Sequence, residues 1–371
     1  MASCSRTIRS TRKQQNRESV FEMNPAEITE HSITTDGHTT FYQASGPEDG
    51  PLVIFCHGWP EQSLSWRHQL PVFGAMGFRA IAPDMRGYGK SSVPAESSAY
   101  ALEHVVGDMT SLLAALDRAS AIWVGHDWGS AVVWSVASHH PEMVQGVASL
   151  NVPYRTIEQG LDAVVELVDR HVYPEDQFPV GQWDYMHYYL ENFDRATKVM
   201  DTDAYNTVKA LFRKGDPAGL GQPAGTASIR SGGGWFGGQS GAPDLPRDED
   251  VVTEDDVFAY AAGLEANGFF GPNSWYMNHD ANKAYASAGV DDPILDMPAL
   301  FLAGRFDYTC ESVESELGHP MHAHCRNLTV EVVDSGHWMA QEKPRAVNAS
   351  LIRWIATHLP QSWPAASSPV D

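Results

Sequence analysis

Cysteine is scarce in this chain: Cys4, Cys56, Cys310 and Cys325 are the only four in 371 residues, and their spacing shows no pairing. That excludes the disulfide framework of a small secreted domain and fits a reduced setting. Long apolar runs are missing as well, with none approaching the 18 or so residues that span a bilayer. Positive charge is in short supply. Lys and Arg total 25 against 47 Asp and Glu, a net charge of −22, which argues against a nucleic-acid or anionic-membrane partner. The N-terminus lacks the apolar core of a secretory signal. Acid is absent from residues 1–17, which carry Arg6, Arg9, Arg12, Lys13 and Arg17. Residues 1–26 are therefore expected to be a basic, disordered leader on a cytoplasmic protein, with organelle targeting as the alternative.

What is present is enough apolar residue, 43%, for a sizeable core. The length suits one large α/β domain carrying an insertion. A hairpin is expected around Asp36-Gly37, a pair suited to a type I′ turn. LVIFC at 52–56 is apolar on both faces, as a covered parallel strand is. Further strands are expected at 80–82, 121–124, 144–150, 299–302 and 328–333, and helices at 64–76, 103–117, 129–140 and 344–358. This alternation implies a parallel sheet with helices on both faces. The rhythm breaks between 154 and 286, which reads as a helical cap. Within it lie a Gly/Pro/Ser-rich stretch at 215–247 and a capping box at Thr253 to Asp256. The expected layout is a core of 27–153 and 287–360, a cap of 154–286 and a tail of 361–371.

Chemistry concentrates just past the strand ends. Asp127, between Gly125 and Gly129, sits where an apolar strand turns into a helix. That is the place of the exposed nucleophile in G-x-S-x-G turns, with aspartate for serine. The alternative for such a residue is a helix N-cap. Asp307 follows one later strand and His337 follows the last. Nucleophile, acid and histidine in that order fit the same architecture. In the loop His57-Gly58-Trp59-Pro60, the Trp59 amide is a candidate oxyanion donor together with that of Trp128, and Trp59-Pro60 is a candidate cis bond.

Taken together, HGWP, RGYG, GHDWG, the acid after LFLAGRFD and the histidine of SGHW resemble the α/β-hydrolase family, in its epoxide hydrolase branch. The similarity runs from about residue 27 to 360 and extends to the C-terminal hydrolase domain of the soluble epoxide hydrolases. It implies a mostly parallel eight-stranded sheet with an inserted cap. The cap segments 183–189 and 271–276 resemble those bearing the ring-opening tyrosines, which places these at Tyr185 and Tyr276. Residues 154–286 hold nine tyrosines, so residue chemistry alone does not select two. Trp59, Trp128, Trp275 and Trp338 are expected to wall the pocket. The basic leader and the long glycine-rich loop depart from the family pattern.

A carboxylate nucleophile has a chemical reason. Serine attacking a saturated carbon would give an inert ether, whereas aspartate gives an ester that water can cleave. A carboxyl with an ordinary pKa near 3.9 also needs no base for that attack. The resemblance thus implies hydrolysis of a small hydrophobic epoxide to a vicinal diol. Asp127 is the nucleophile, His337 the base, Asp307 its orienting acid, and Tyr185 and Tyr276 the donors to the ring oxygen. No cofactor and no metal are expected, and the protein is expected to be a monomer or homodimer. Two readings compete. A haloalkane dehalogenase would use the Trp128 indole to hold a leaving halide, with a second donor such as Trp59, Trp183, Trp235 or Trp275. A non-catalytic receptor would keep the scaffold without turnover. Two other motifs carry little. Gly89-Lys90-Ser91 ends like a phosphate loop, but Asp84 stands where its first glycine belongs. The histidine run at 319–325 has no matching second ligand group.

Overall fold

Alternation within the strands sorts the core onto two faces of one sheet. Val53, Phe55, Ile122, Val124, Leu300 and Leu302 pack on one side with Leu351, Trp354 and Ile355 of the Pro344–His358 helix. Their neighbours Leu52, Ile54, Trp123, Phe301 and Ala303 pack on the other, against the Leu102–Ala115 and Trp128–His139 helices. Side chains that alternate with period two, all apolar, need cover on both faces. The computed structural model describes residues 26–290 and 294–364.

Eight strands build the sheet: β1 (Thr29–Thr35), β2 (His38–Ser45), β3 (Leu52–Cys56), β4 (Arg79–Pro83), β5 (Ala121–His126), β6 (Val144–Leu150), β7 (Leu295–Gly304) and β8 (Cys325–Val333). Their order is β1-β2-β4-β3-β5-β6-β7-β8. The β1–β2 and β2–β4 pairs are antiparallel and all the others parallel. The hairpin turns on Asp36 and Gly37, as their sequence predicts, both at positive φ. From β3 the chain steps to β4 on one side and later to β5 on the other. A crevice for a ligand opens at such a reversal, beyond the carboxyl ends of the strands.

Between β6 and β7 the described chain forms no strand. Its longest pieces are the Asp184–Asp201 and Glu254–Asn267 helices, the second opened by a complete capping box of Thr253 and Asp256. The glycine-rich stretch holds only short 3-10 turns at Pro217–Gly219 and Gly225–Ser228. The helix expected at 64–76 is divided into a 3-10 turn, Ser63–Trp66, and a helix, Leu70–Ala75. Pro71 lacks the N–H that would continue one helix and instead opens the second. Among the described residues no helix is long and apolar enough to cross a membrane. The expected leader lies outside the described residues except for Ala26, and the expected tail is described only as far as residue 364.

The turn after β5 tolerates no side chain at its second glycine. A Cβ on Gly129 would stand 2.1 Å from the Cys56 carbonyl oxygen at the end of β3. Both partners are backbone, so neither can yield cheaply. Gly129→Ala is expected to lower the unfolding free energy by about 3 kcal/mol. Urea denaturation checks this, and an unchanged midpoint would contradict the packing.

Candidate active site

Asp127 occupies the turn in a strained conformation, φ 52° and ψ −125°. A non-glycine residue held there costs roughly 1–3 kcal/mol and persists only where the surroundings impose it. Its backbone carbonyl accepts from Ser130 N, but its side chain caps nothing. The N-cap alternative therefore does not describe this carboxylate. Instead Oδ1 accepts from the Trp59 amide at 2.7 Å, and Oδ2 faces His337 Nε2 at 3.6 Å. The Trp59–Pro60 bond is cis. Trp128 begins the following helix, so its amide is among those that the helix itself leaves without a partner.

His337 Nδ1 donates to Asp307 Oδ2 at 2.7 Å, because a carboxylate can only accept. Asp307 Oδ1 in turn accepts from the Thr309 and Cys310 amides at 3.2 and 3.1 Å. Burial opposes the charge of Asp307, but the charge and hydrogen bond of His337 outweigh it and hold the carboxyl below its usual range. Burial likewise opposes a charged His337. Asp307 and the bond to Asp127 prevail and raise its pKa well above the ordinary 6.5. Cys310 lies against the pair, and burial, reinforced by Asp307, pushes its thiol up to about 12.

Behind these residues stands a buried network that the sequence did not reveal. His126 Nδ1 lies 2.6 Å from Glu61 Oε2, and Nε2 lies 2.7 Å from the His337 carbonyl oxygen. Both ring nitrogens of His126 thus face oxygen acceptors. Glu61 also accepts from Gly58 N at 3.0 Å and Gln341 Nε2 at 3.3 Å. Burial would raise the pKa of Glu61, but the charge and hydrogen bond of His126 bring it down to about 2. Asn151, just past β6, donates to the same His337 carbonyl at 2.6 Å and accepts from Gly304 N at 3.0 Å. His57, by contrast, accepts from Met85 N through Nε2 and donates from Nδ1 to Gly58 O, which makes it neutral. Of these, Asn151 and His57 carried a readable signal: each lies just beyond a strand end, as Asp307 and His337 do.

Tyr185 and Tyr276 stand over Asp127. Tyr185 comes from the Asp184–Asp201 helix and Tyr276 from the 3-10 turn Trp275–Met277. Their ring centroids are 5.5 Å apart. Burial, with the charge of Asp127 adding to it, raises both phenols well above 10, so both remain proton donors at neutral pH. A cavity of about 320 Å³ is bordered by Asp127, His337, Tyr185, Tyr276, Trp59 and Trp338 among others. The other two expected wall residues are placed elsewhere. Trp128 and Trp275 form a layer behind Tyr276, and the Trp275 indole donates to Arg86 O at 3.1 Å. Of the alternative tryptophans, Trp235 borders the cavity and Trp183 does not. Asp307, Cys310 and His337 bring three metal-ligating side chains together among the described residues. The 319–325 histidine run forms no such group there.

Comparison with known proteins follows the geometry. The family model described as the alpha/beta hydrolase fold matches residues 51–344. "Bifunctional epoxide hydrolase 2" of Sus scrofa is 34% identical over 83% of this chain and 52% of its own length. The chain thus spans about half the length of the mammalian relatives it matches. "Epoxide hydrolase" of Caballeronia sordidicola is 32% identical over 89% of this chain and 94% of its own. Among solved structures, Epoxide Hydrolase A from Mycobacterium thermoresistibile superposes with a TM-score of 0.71 at 29% identity, covering 89% of this chain and 98% of that one.

The buried pair behind His337 has a pH signature. Glu61 sits at about 2 in the folded chain against an ordinary 4.5, so it contributes stability that is present above 4.5 and lost as pH falls toward 2. Glu61→Gln is expected to cost about 2 kcal/mol at neutral pH, since it replaces the buried carboxylate that His126, Gly58 and Gln341 surround. The variant should also lose less stability than the wild type between pH 4.5 and 2. Urea melts across that range measure both, and parallel pH profiles would contradict the assignment.

Proposed function

The chain belongs to the α/β-hydrolase family, in its epoxide hydrolase branch, and on that premise we propose that it adds water to an epoxide to give a vicinal diol through an aspartyl ester. The observation that carries this reading is the state of Asp127. One oxygen is held by the Trp59 amide at 2.7 Å, and the other faces His337 on the floor of a cavity roofed by two phenols.

In the first step Asp127 Oδ2 attacks an epoxide carbon and the ring C–O bond breaks. Tyr185 and Tyr276 hydrogen-bond the ring oxygen, and one of them gives it a proton. Oδ1 stays on the Trp59 amide as the ester carbonyl. In the second step His337 Nε2 takes a proton from water, and the hydroxide attacks the Asp127 carbonyl carbon. The Trp59 and Trp128 amides hold the oxyanion. Collapse releases the diol with Oδ2 as its new hydroxyl, protonated by His337. The water oxygen remains on Asp127, and the second water proton returns to the phenolate through solvent.

Charge orders the two steps. Before reaction His337 faces two carboxylates, and their attraction favours its protonated form. Esterification makes Asp127 neutral and removes one of them. The imidazole then gives up its proton more easily and can act as a base when a base is required.

A dehalogenase would need an indole N–H at a leaving halide. Trp128 is not among the residues bordering the cavity, whereas both tyrosines are, which favours an oxygen that must be protonated. The substrate is a small, largely hydrophobic epoxide, and the reaction as written uses no cofactor. Cys56, Cys310 and Cys325 are buried and free, which supports a reducing compartment such as the cytoplasm.

His337→Gln is expected to form the ester and fail to hydrolyse it. The intact mass should rise by the full mass of the epoxide, while Asp127→Asn gains nothing. A single turnover of the wild type in heavy-oxygen water should place the label in Asp127. Label found directly in the diol would exclude the covalent route. Separately, Tyr185→Phe combined with Tyr276→Phe should slow ring opening by about 10²–10⁴-fold in stopped-flow measurements. An unaltered rate would remove the tyrosines from the mechanism.

A further inference from the structure

Four aromatic rings beside the reacting centre close on one another in a cycle. Trp59 stacks on Trp235 at 5.3 Å, and Trp235 meets Tyr185 at 5.6 Å. Tyr185 meets Tyr276 at 5.5 Å, and Tyr276 meets Trp59 at 5.9 Å. Rings at these separations are in contact, so no chain of atoms passes between them. The cavity therefore ends on that side. In the other direction it passes Leu211 and Trp338 to a rim that carries Arg213 and Lys214, whose side chains are 44% and 53% exposed.

Three of these rings are fixed by the reaction machinery or by regular structure. Trp59 is tied by its amide to Asp127 and by its indole to Asn273, and the tyrosines sit on helical turns. Trp235 is held differently. It is half-buried, in a segment with neither helix nor strand, between Gly233 and Gly234 on one side and Gly237 and Gly238 on the other. All four glycines have positive φ. Gly234, at φ +120°, could not carry a Cβ, which would stand 2.6 Å from the Tyr188 hydroxyl. The base of the segment is fastened to the helix bearing Tyr185. Arg230 pairs with Asp184 at 2.5 Å and Glu191 at 3.0 Å, and Arg195 donates to Gly233 O at 3.1 Å. Trp235 also packs close to Tyr188, Val199 and Gln239, with no space for a water among them.

We propose that Trp235 is the specificity-determining end wall of the site and makes it one-sided. An epoxide ring pinned between Asp127 and the two phenols directs its two carbons in opposite directions along the cavity. One direction is open past Leu211 and Trp338, and the other ends on Trp235. The substrate class is therefore terminal epoxides, with a single substituent running toward the rim. Internal epoxides with extended groups on both carbons are rejected. This rests on the proposed reaction, and it adds a residue and a substrate class that the reaction alone does not specify.

The test compares wild type, Trp235→Phe and Trp235→Ala, each checked for fold by its melting curve. Substrates are a terminal epoxide and an internal trans-epoxide bearing the same chain plus a phenyl group. The wild type should favour the terminal epoxide in kcat/KM. Trp235→Ala should raise the internal-to-terminal ratio by about tenfold or more, with Trp235→Phe between the two. An unchanged ratio in a folded variant, or a wild type that favours the internal epoxide, overturns the proposal. Binding separates this from the chemistry. A primary amide and its N-benzyl derivative mimic the two epoxides without reacting, and calorimetry measures both. The wild type should bind only the primary amide and Trp235→Ala both. Equal binding of the two by the wild type refutes the wall whether or not any epoxide is turned over, whereas selective binding without turnover refutes the reaction alone.

Discussion

Three buried carboxylates and two imidazoles share one small volume, and much of the molecule is arranged around keeping them there. Asp307 and Asp127 flank His337, while Glu61 holds His126. The two imidazole rings lie only 4.8 Å apart. A protonated imidazole would be costly in a buried site if carboxylates did not balance it. The arrangement is tolerable at rest and altered by the chemistry itself. In the proposed reaction Asp127 becomes an ester, which removes one of the two carboxylates facing His337 and makes its proton easier to lose.

Geometry is fixed by the strand ends. Trp59, Asp127, Asn151, Asp307 and His337 each follow a strand of one sheet, β3, β5, β6, β7 and β8 respectively. The backbone ladders between these strands set their mutual positions before any side chain is considered. Glu61 and Asn151 then tie the loops to one another. Glu61 joins the Trp59 loop to His126, and His126 and Asn151 both hold the His337 carbonyl. A shift in any of these loops would have to break a buried hydrogen bond to a charged or backbone group, which is costly where water cannot replace it.

How much of this was legible in the sequence follows from which features are local. The hairpin, the all-apolar strands, the capping box and the order Asp127, Asp307, His337 rest on neighbours in the chain, and they are where the sequence places them. Pro71 divided one expected helix by a local rule that hydrophobic spacing alone had masked. Glu61 and His126 are 65 residues apart and read singly as a loop acid and a strand-end histidine. Only the pairing of β3 with β5 makes them partners. The tryptophans show the same limit. Trp128 adjoins Asp127 in sequence yet lies in the layer behind Tyr276, and Trp235, more than a hundred positions away, borders the cavity.

The division between sheet and inserted segment separates two kinds of requirement. In the proposed reaction, attack, ester cleavage and oxyanion binding need fixed distances, and these come from the ends of strands that pair in one sheet. Choice of substrate needs only volume, which a loop can supply and change cheaply. Trp235 stands at the boundary between them. Its indole packs on the rings of Trp59 and Tyr185, but its backbone belongs to a glycine-rich segment that shares no ladder with the sheet. Trp235 takes no part in the hydrogen bonds of Asp127, His337 and Asp307, so a substitution at this one position alters the cavity wall without removing any of them. In the proposed reaction Asp127, Asp307 and His337 come from the strand ends, whereas Tyr185, Tyr276 and Trp235 come from what packs over them.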